Sequence, residues 1–357
     1  MMFEEIPHNR PLMTQDDSEA AARAITSGWV GHGPEGKALE KEFADYFGCG
    51  MGCAVSSGSA ALFLALWCLE VGPGHRVAIP TYACTSLLNA VMQVGATPVL
   101  VDNAPNSFNM SVDAVARAAN EAPLDAVIPV HMYGEAFDVR ALQGYSRRIV
   151  EDCCVSIGAE WNGRKLGLFG DLSVFSFYAT KIVTCGHGGM LFDPQGKFID
   201  RAMDYRNFDM PAVYQPRSNI QLSDINAAVA RCQFSRLSEI VQRRRDIAQH
   251  YLDNTPDELV AWPRSISSDM MPYRFILTGQ DANHAVRIMA HLSGCGIRSI
   301  NPFETHELLH RYLGMPPEDF EYSESLCTRT VSVPLYPGLD EAEIDRICDG
   351  LQSLPRT

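Results

Sequence analysis

The sequence lacks several features that would assign a class at once. Its opening stretch, MMFEEIPHNRPLMTQDD, has no basic run followed by an apolar one, so no signal peptide is expected. The longest apolar stretch, around Ala60 to Leu69, is too short to cross a bilayer, so no membrane partner is expected. Positive charge is scarce: 29 Lys and Arg stand against 43 Asp and Glu, a formal net charge of -14. Nucleic acid needs clustered cations, which excludes it as the main partner, whereas a phosphorylated small molecule needs only a local pocket of donors. There are 11 cysteines, with Cys49/Cys53 and Cys153/Cys154 as the only close pairs. A second CxxC-like pair or histidines at ligand spacing are missing, so no metal site is expected. Thiols of this kind fit a reduced, cytoplasmic protein. Internal repeats and low-complexity segments are absent as well.

What is present is a chain of 357 residues, 46% of them hydrophobic, long enough for a large core and more than one domain. Asp16 and Asp17 are placed to cap a helix towards Ser27, and Gly28-Trp29-Val30-Gly31-His32-Gly33-Pro34 is a loop no helix can cross. Leu39, Phe43 and Phe47 recur at helical spacing. From Cys53 onwards short apolar strands alternate with helices: Ala54-Val55, Arg76 to Pro80, Pro98 to Asp102, Ala126 to Val130, Arg148 to Glu151 and Leu172 to Phe177. Such runs predict an α/β fold with a mostly parallel central sheet flanked by helices. Beyond Asp224 the pattern changes. Ile225 to Ile240 and Arg243 to Leu252 read as long helices, followed by strands at 273–278 and 330–334. The expected division is a large domain over 1–235, including the N-terminal helices, and a smaller C-terminal α+β domain over 236–357.

Three segments carry chemistry. Ser56-Ser57-Gly58-Ser59-Ala60 joins a strand to a helix N-terminus, where open N–H groups and the helix dipole favour an anion. The same serines would also serve as a plain N-cap. Arg148-Ile149-Val150-Glu151-Asp152 ends a strand in acids, at the sheet end where ligands bind in such folds. A buried carboxylate there suits a pyridine-bearing cofactor, because it keeps the ring nitrogen protonated. Phe175-Ser176-Phe177-Tyr178-Ala179-Thr180-Lys181 leads from a strand into a glycine-flanked loop. Apolar surroundings are expected to lower the Lys181 pKa and make it a Schiff-base nucleophile.

With these residues in view, the sequence resembles the sugar aminotransferases of the DegT/StrS type that depend on pyridoxal 5′-phosphate (PLP). These have the type I, aspartate-aminotransferase fold. The resemblance rests on SSGSAAL at 56–62, PTYACTSLLNAV at 80–91, VHMYG at 130–134, VEDCC at 150–154, GDLSVFSFYATK at 170–181 and SDINAAVA at 223–230. It implies that Lys181 carries PLP as an aldimine and that Asp152 pairs with the pyridine nitrogen. It also implies a phosphate turn of Gly58, Ser59 and Ala60 with Ser176, and a Tyr82 ring stacked on the cofactor. Asn219 and Gln221 fall where the family reaches into the partner subunit's phosphate site, which implies a homodimer. Trp29 and His32 lie in a loop like the family's substrate-entry loop, and His306 stands where the family has a substrate-side histidine. His131 is read as a packing or loop residue.

Two positions depart from the pattern: Val155 stands where the family often has glutamine, and His187 where it often has an acid. The implied reaction transfers an amino group from glutamate or glutamine to a keto sugar linked to a nucleotide. Sugar dehydratases of the same fold replace the lysine with histidine, so Lys181 argues against that reading. A cyclitol ketone as acceptor, and a non-catalytic PLP-binding homologue, remain as alternatives.

Overall fold

The computed structural model describes residues 5–209 and 211–355. Its strands are β1 (Met51–Val55), β2 (Arg76–Pro80), β3 (Thr97–Val101), β4 (Ala126–Val127), β5 (Val150–Asp152), β6 (Glu160–Trp161), β7 (Arg164–Lys165), β8 (Leu172–Ser176), β9 (Gly189–Asp193), β10 (Val260–Trp262), β11 (Phe275–Thr278) and β12 (Thr330–Val333). β2 pairs in parallel with β3 and β4. Parallel bridges from Val127 to Ile149 and from Val130 to Asp152 carry the sheet on to β5. β5 is parallel to β8, and β9 lies antiparallel between β8 and β1. The resulting order is β3-β2-β4-β5-β8-β9-β1, with β9 the reversed strand. Central residues such as Val77, Ala78, Val174 and Leu191 are fully buried because helices cover both faces.

β9 was not among the expected strands. Gly188 and Gly189 read locally as loop, yet Met190-Leu191-Phe192 is an apolar run buried between β8 and β1. Thr14 is the N-cap of the first helix, Gln15–Thr26, and of the two aspartates Asp17 takes part in the cap, accepting the Thr14 N–H at 2.8 Å. Asp17 is the far arm of that capping box and is buried, 2.8 Å from Arg236. Leu39, Phe43 and Phe47 do form one buried face of the helix Pro34–Phe47.

A second core gathers around the antiparallel sheet β10-β11-β12 with the helices Ala282–Gly294 and Glu341–Gln352. Ile6 joins this core and bridges to Ile297, although it precedes the large sheet in the chain. The helices expected at 225–240 and 243–252 are Asp224–Ser235 and Leu237–Asp253, broken at Arg236. Leu237, Ile240 and Val241 of the second helix pack in the large core, and Ile247, Ala248 and Tyr251 in the small one. One helix therefore ties the two cores together.

Candidate active site

Three structural edges meet at one cavity of about 480 Å³. β5 ends at Asp152, β8 ends at Ser176, and the helix Gly58–Cys68 begins beside both. Gly58 is required here: a Cβ would lie 2.9 Å from Ser176 Cβ and 3.3 Å from Cys154 Sγ. Ser57 caps the helix, accepting the Ala60 N–H at 3.0 Å, and the first intrahelical bond runs from Ala61 to Ser57. That leaves the first-turn N–H groups of Gly58 and Ser59, which both line the cavity, without a partner in the helix. The Ser59 hydroxyl lies 2.9 Å from Ser86 Oγ, and Ser176 Oγ stands opposite on β8. Ala60, expected in the same turn, spends its N–H on the cap and does not line the cavity.

Asp152 is buried on the cavity wall. One carboxylate oxygen accepts the Cys154 N–H at 2.9 Å, which leaves the other for a ligand. Its neighbour Glu151 is wholly buried and points away. It accepts from Gly167 and Gly170 and meets His131 Nε2 at 3.0 Å, so His131 is a packing residue as expected.

Lys181 lies in the turn after β8, its N–H bonded to Tyr178 O at 2.8 Å. The chain's other lysines are Lys37, Lys41, Lys165 and Lys197, and none of them lines the cavity. The electrostatics around Lys181 reverse the expectation from sequence. Burial does push the amine down, but Tyr273, Cys154, Asp152 and Cys84 outweigh it and hold Lys181 above the ordinary lysine value. The surroundings are acidic and only partly apolar. Tyr273 responds in kind. Burial pushes its hydroxyl up, yet Lys181, Arg274, the bond to Thr180 O and Arg244 bring it below the ordinary tyrosine value.

Tyr273 and Arg274 were not singled out from sequence, and no local signal marks them. They reach the site through the VHMYG turn. Gly134, at φ 85°, has no room for a Cβ, which would lie 1.9 Å from Met271 O. Tyr133 O accepts Tyr273 N–H at 3.0 Å, and Tyr273 Oη donates to Thr180 O at 3.1 Å. The segment that leads into β11 is thus pinned beside Lys181.

The other expected residues lie elsewhere. Tyr82 is wholly buried behind the wall, its ring 4.6 Å from Phe303 and its hydroxyl 3.1 Å from Tyr133 Oη. It offers no free face for stacking, and the wall at that point is made by Ala83 and Cys84. Val155 and His187, the two departures, both line the cavity. His306 is exposed on a short turn outside it. Trp29 is 56% exposed, with Nε1 donating to His32 O at 3.1 Å. His32 Nδ1 lies 3.3 Å from Leu222 O, and burial lowers its pKa. Asn219 and Gln221 precede Leu222, and Ile220 O accepts the Ser56 N–H at 2.7 Å. None of these four residues lines the Lys181 cavity, and Gln221 bridges to Val55 at the end of β1, next to the Ser57–Gly58 turn.

A lone lysine at a strand end, a buried carboxylate across from it and a helix N-terminus with a glycine floor fit PLP in one cavity. Fold and site define a PLP-dependent transaminase. The DegT/DnrJ/EryC1/StrS aminotransferase family model matches residues 11–352, and the chain belongs to that family. It is 29% identical over 366 residues to the GDP-perosamine synthase of Vibrio cholerae, covering 98% of each. Among solved structures it resembles DesV of S. venezuelae, solved with a ketimine intermediate, at TM-score 0.85 and 29% identity over 94% of this chain and 93% of that one. TlmJ from Streptoalloteichus hindustanus gives TM-score 0.88 at 26% identity over 98% of both chains. Spr1654 from Streptococcus pneumoniae, solved in PLP and PMP forms, shares the fold at TM-scores of 0.87 and 0.90 with 23% and 22% identity. It covers 98% of this chain in both forms, and 98% and 97% of the respective chains. The protein is a sugar aminotransferase of this family, and PLP is its cofactor.

Proposed function

We propose that the enzyme takes its amino group from glutamate or glutamine and delivers it to a keto sugar linked to a nucleotide. The observation that carries this reading is the meeting of Lys181, Asp152 and the Gly58–Ser59 turn in one cavity. The name of the Vibrio cholerae relative, a GDP-sugar enzyme, supports the nucleotide. The cavity reaches the surface beside Tyr178, which is 48% exposed, and His187, so the sugar's carrier has room outside.

When bound, PLP supplies an electron sink that stabilises negative charge at a carbon bearing the amine. The chain does the rest. The Gly58 and Ser59 N–H groups and the Ser59 and Ser176 hydroxyls hold the phosphate, where the helix dipole adds to the donors. The free carboxylate oxygen of Asp152 keeps the pyridine nitrogen protonated. Lys181 Nζ carries the cofactor at rest and, once released, moves the proton at the donor's Cα and later at the sugar carbon. Ala83 and Cys84 close one side of the ring's place, in the position expected for Tyr82.

Asn219 and Gln221 are read as the contribution of each subunit to its partner's phosphate, in a homodimer. Buried free thiols such as Cys53, Cys68, Cys153 and Cys327 suit a reducing compartment, and we place the enzyme in the cytoplasm.

The test is a screen of glutamate- and glutamine-dependent amination of nucleotide-linked 3-keto and 4-keto sugars and of cyclitol ketones, read by mass. Amine gain on a nucleotide-linked sugar is expected. Amination of cyclitols alone would replace this reading.

A further inference from the structure

We propose that Arg274 is the carboxylate-binding residue for the amino donor, reading that carboxylate in a cavity that adjoins the Lys181 site. This rests on the reading of glutamate or glutamine as donor.

The second cavity, of about 220 Å³, is lined by His8, Arg244, Tyr273 and Arg274 among others. Thr180, Tyr273 and Arg274 line both cavities, so the two are contiguous. Three cations surround one ring. Lys181 Nζ lies 5.6 Å from the Tyr273 ring centroid, and the Arg244 and Arg274 guanidinium carbons lie 5.7 Å from it.

Neither arginine is paired with an acid among the described residues. Arg274 Nη1 donates to His8 Nε2 at 3.1 Å and to Ser332 Oγ at 3.2 Å. Arg244 Nη1 donates to the carbonyls of Tyr273 and Leu335. The Nε atom of each is buried without a partner. Every group that holds them is neutral: a histidine, a serine and two carbonyls. The Tyr273 hydroxyl is engaged with Thr180 O at 3.1 Å. Arg244 is buried and Arg274 half-buried; guanidinium groups withdrawn from water are ordinarily paired, and a planar fork matches a carboxylate. An amino acid whose nitrogen replaces Lys181 Nζ carries a carboxylate into this region. Arg244 adds field, but it holds two backbone carbonyls and is left intact in the test.

The experiment uses the PLP-loaded enzyme. The variants are Arg274→Met and Arg274→Gln, the second keeping a donor for His8 and Ser332. The half-reaction with glutamate and with glutamine is followed by cofactor absorbance, and binding of glutarate, an inert dicarboxylate, by calorimetry. Half-saturation by donor should rise about 10- to 100-fold, the value of a charge-assisted bond, with the keto-sugar KM within about twofold of wild type. Arg274→Lys should recover part of the loss. A loss with both donors assigns the α-carboxylate to Arg274, and a loss with glutamate alone assigns the γ-carboxylate. Unchanged half-saturation with both donors, or a defect confined to the keto sugar, overturns the proposal. If neither amino acid converts the wild-type enzyme, the donor reading fails and glutarate decides. Binding that weakens in both variants supports a carboxylate site, and absent or unaltered binding refutes it.

Discussion

Gly58→Ala isolates the phosphate floor. Gly58 opens a helix and does not have the positive φ that would itself demand glycine, so the change adds no backbone strain. Alanine is otherwise welcome in a helix. The added Cβ meets Ser176 Cβ at 2.9 Å and Ser176 Oγ at 3.2 Å. Ser176 sits on β8, paired across to Gly189, and its strand cannot retreat without breaking that pairing. Nor can β9 give way, because a Cβ on Gly189 itself would come within 2.5 Å of the Ser57 backbone. The serine side chain is what should move, taking with it the hydrogen bond proposed from Ser176 to the phosphate. A bond to a charged group contributes about 1.5–3 kcal/mol, so the Kd for PLP should rise about 10- to 100-fold. The covalent link to Lys181 is common to both proteins and cancels. The assay is titration of cofactor-free enzyme with PLP, followed by cofactor absorbance and equilibrium dialysis, with thermal unfolding as the control. Ser59→Ala should weaken binding to a similar degree without any clash. A Kd within about twofold of wild type for Gly58→Ala would refute the placement of the phosphate between the helix and β8.

Three further outcomes are expected. Asp152→Asn should lower turnover by several orders of magnitude while PLP still binds through its phosphate; a loss under about tenfold, roughly 1.4 kcal/mol of barrier, would assign the ring's tuning to another group. Mixing Lys181→Ala with a double change at Asn219 and Gln221 under subunit exchange should restore about a quarter of all sites, since random pairing leaves one intact site in each mixed dimer; no recovery despite exchange would place that contact within one chain. Burial first, then Arg274 and Arg298, holds the His8 pKa at about 3 against an ordinary 6.5. The unfolded chain therefore takes up a proton that the folded one refuses, so this stability is full above pH 6.5 and is lost as pH falls towards 3. At pH 5 the loss is about 2 kcal/mol, which urea unfolding should show for wild type and not for His8→Gln; parallel pH profiles would contradict a neutral His8 in the folded protein.

The sequence was most informative where chemistry and backbone demands coincide. Asp152 at a strand end, Gly58 and Ser59 at a helix start and Lys181 after an aromatic strand are local patterns, and the fold brings them to one cavity. It was least informative where a side chain's direction decides. Tyr82 occupies an aromatic position next to the cavity, but its ring turns inward to Phe303 and Tyr133, which only packing reveals. The expected fall in the Lys181 pKa came from counting apolar neighbours in sequence. Tyr273, which helps to reverse it, belongs to a bond spanning 93 positions. β9 was hidden for a similar reason: Gly188-Gly189 signals a loop locally, yet Gly189 is what lets the strand pass close to Ser57.

Lys181 is the group proposed to hold the cofactor. Borohydride reduction of the PLP-loaded enzyme, followed by digestion and peptide mass analysis, tests it most directly. A pyridoxyl adduct is expected on the peptide containing Lys181, and a Lys181→Ala protein should fold, take up no label and transfer no amine. An adduct on Lys37, Lys41, Lys165 or Lys197 instead, or wild-type turnover by the alanine variant, would contradict it.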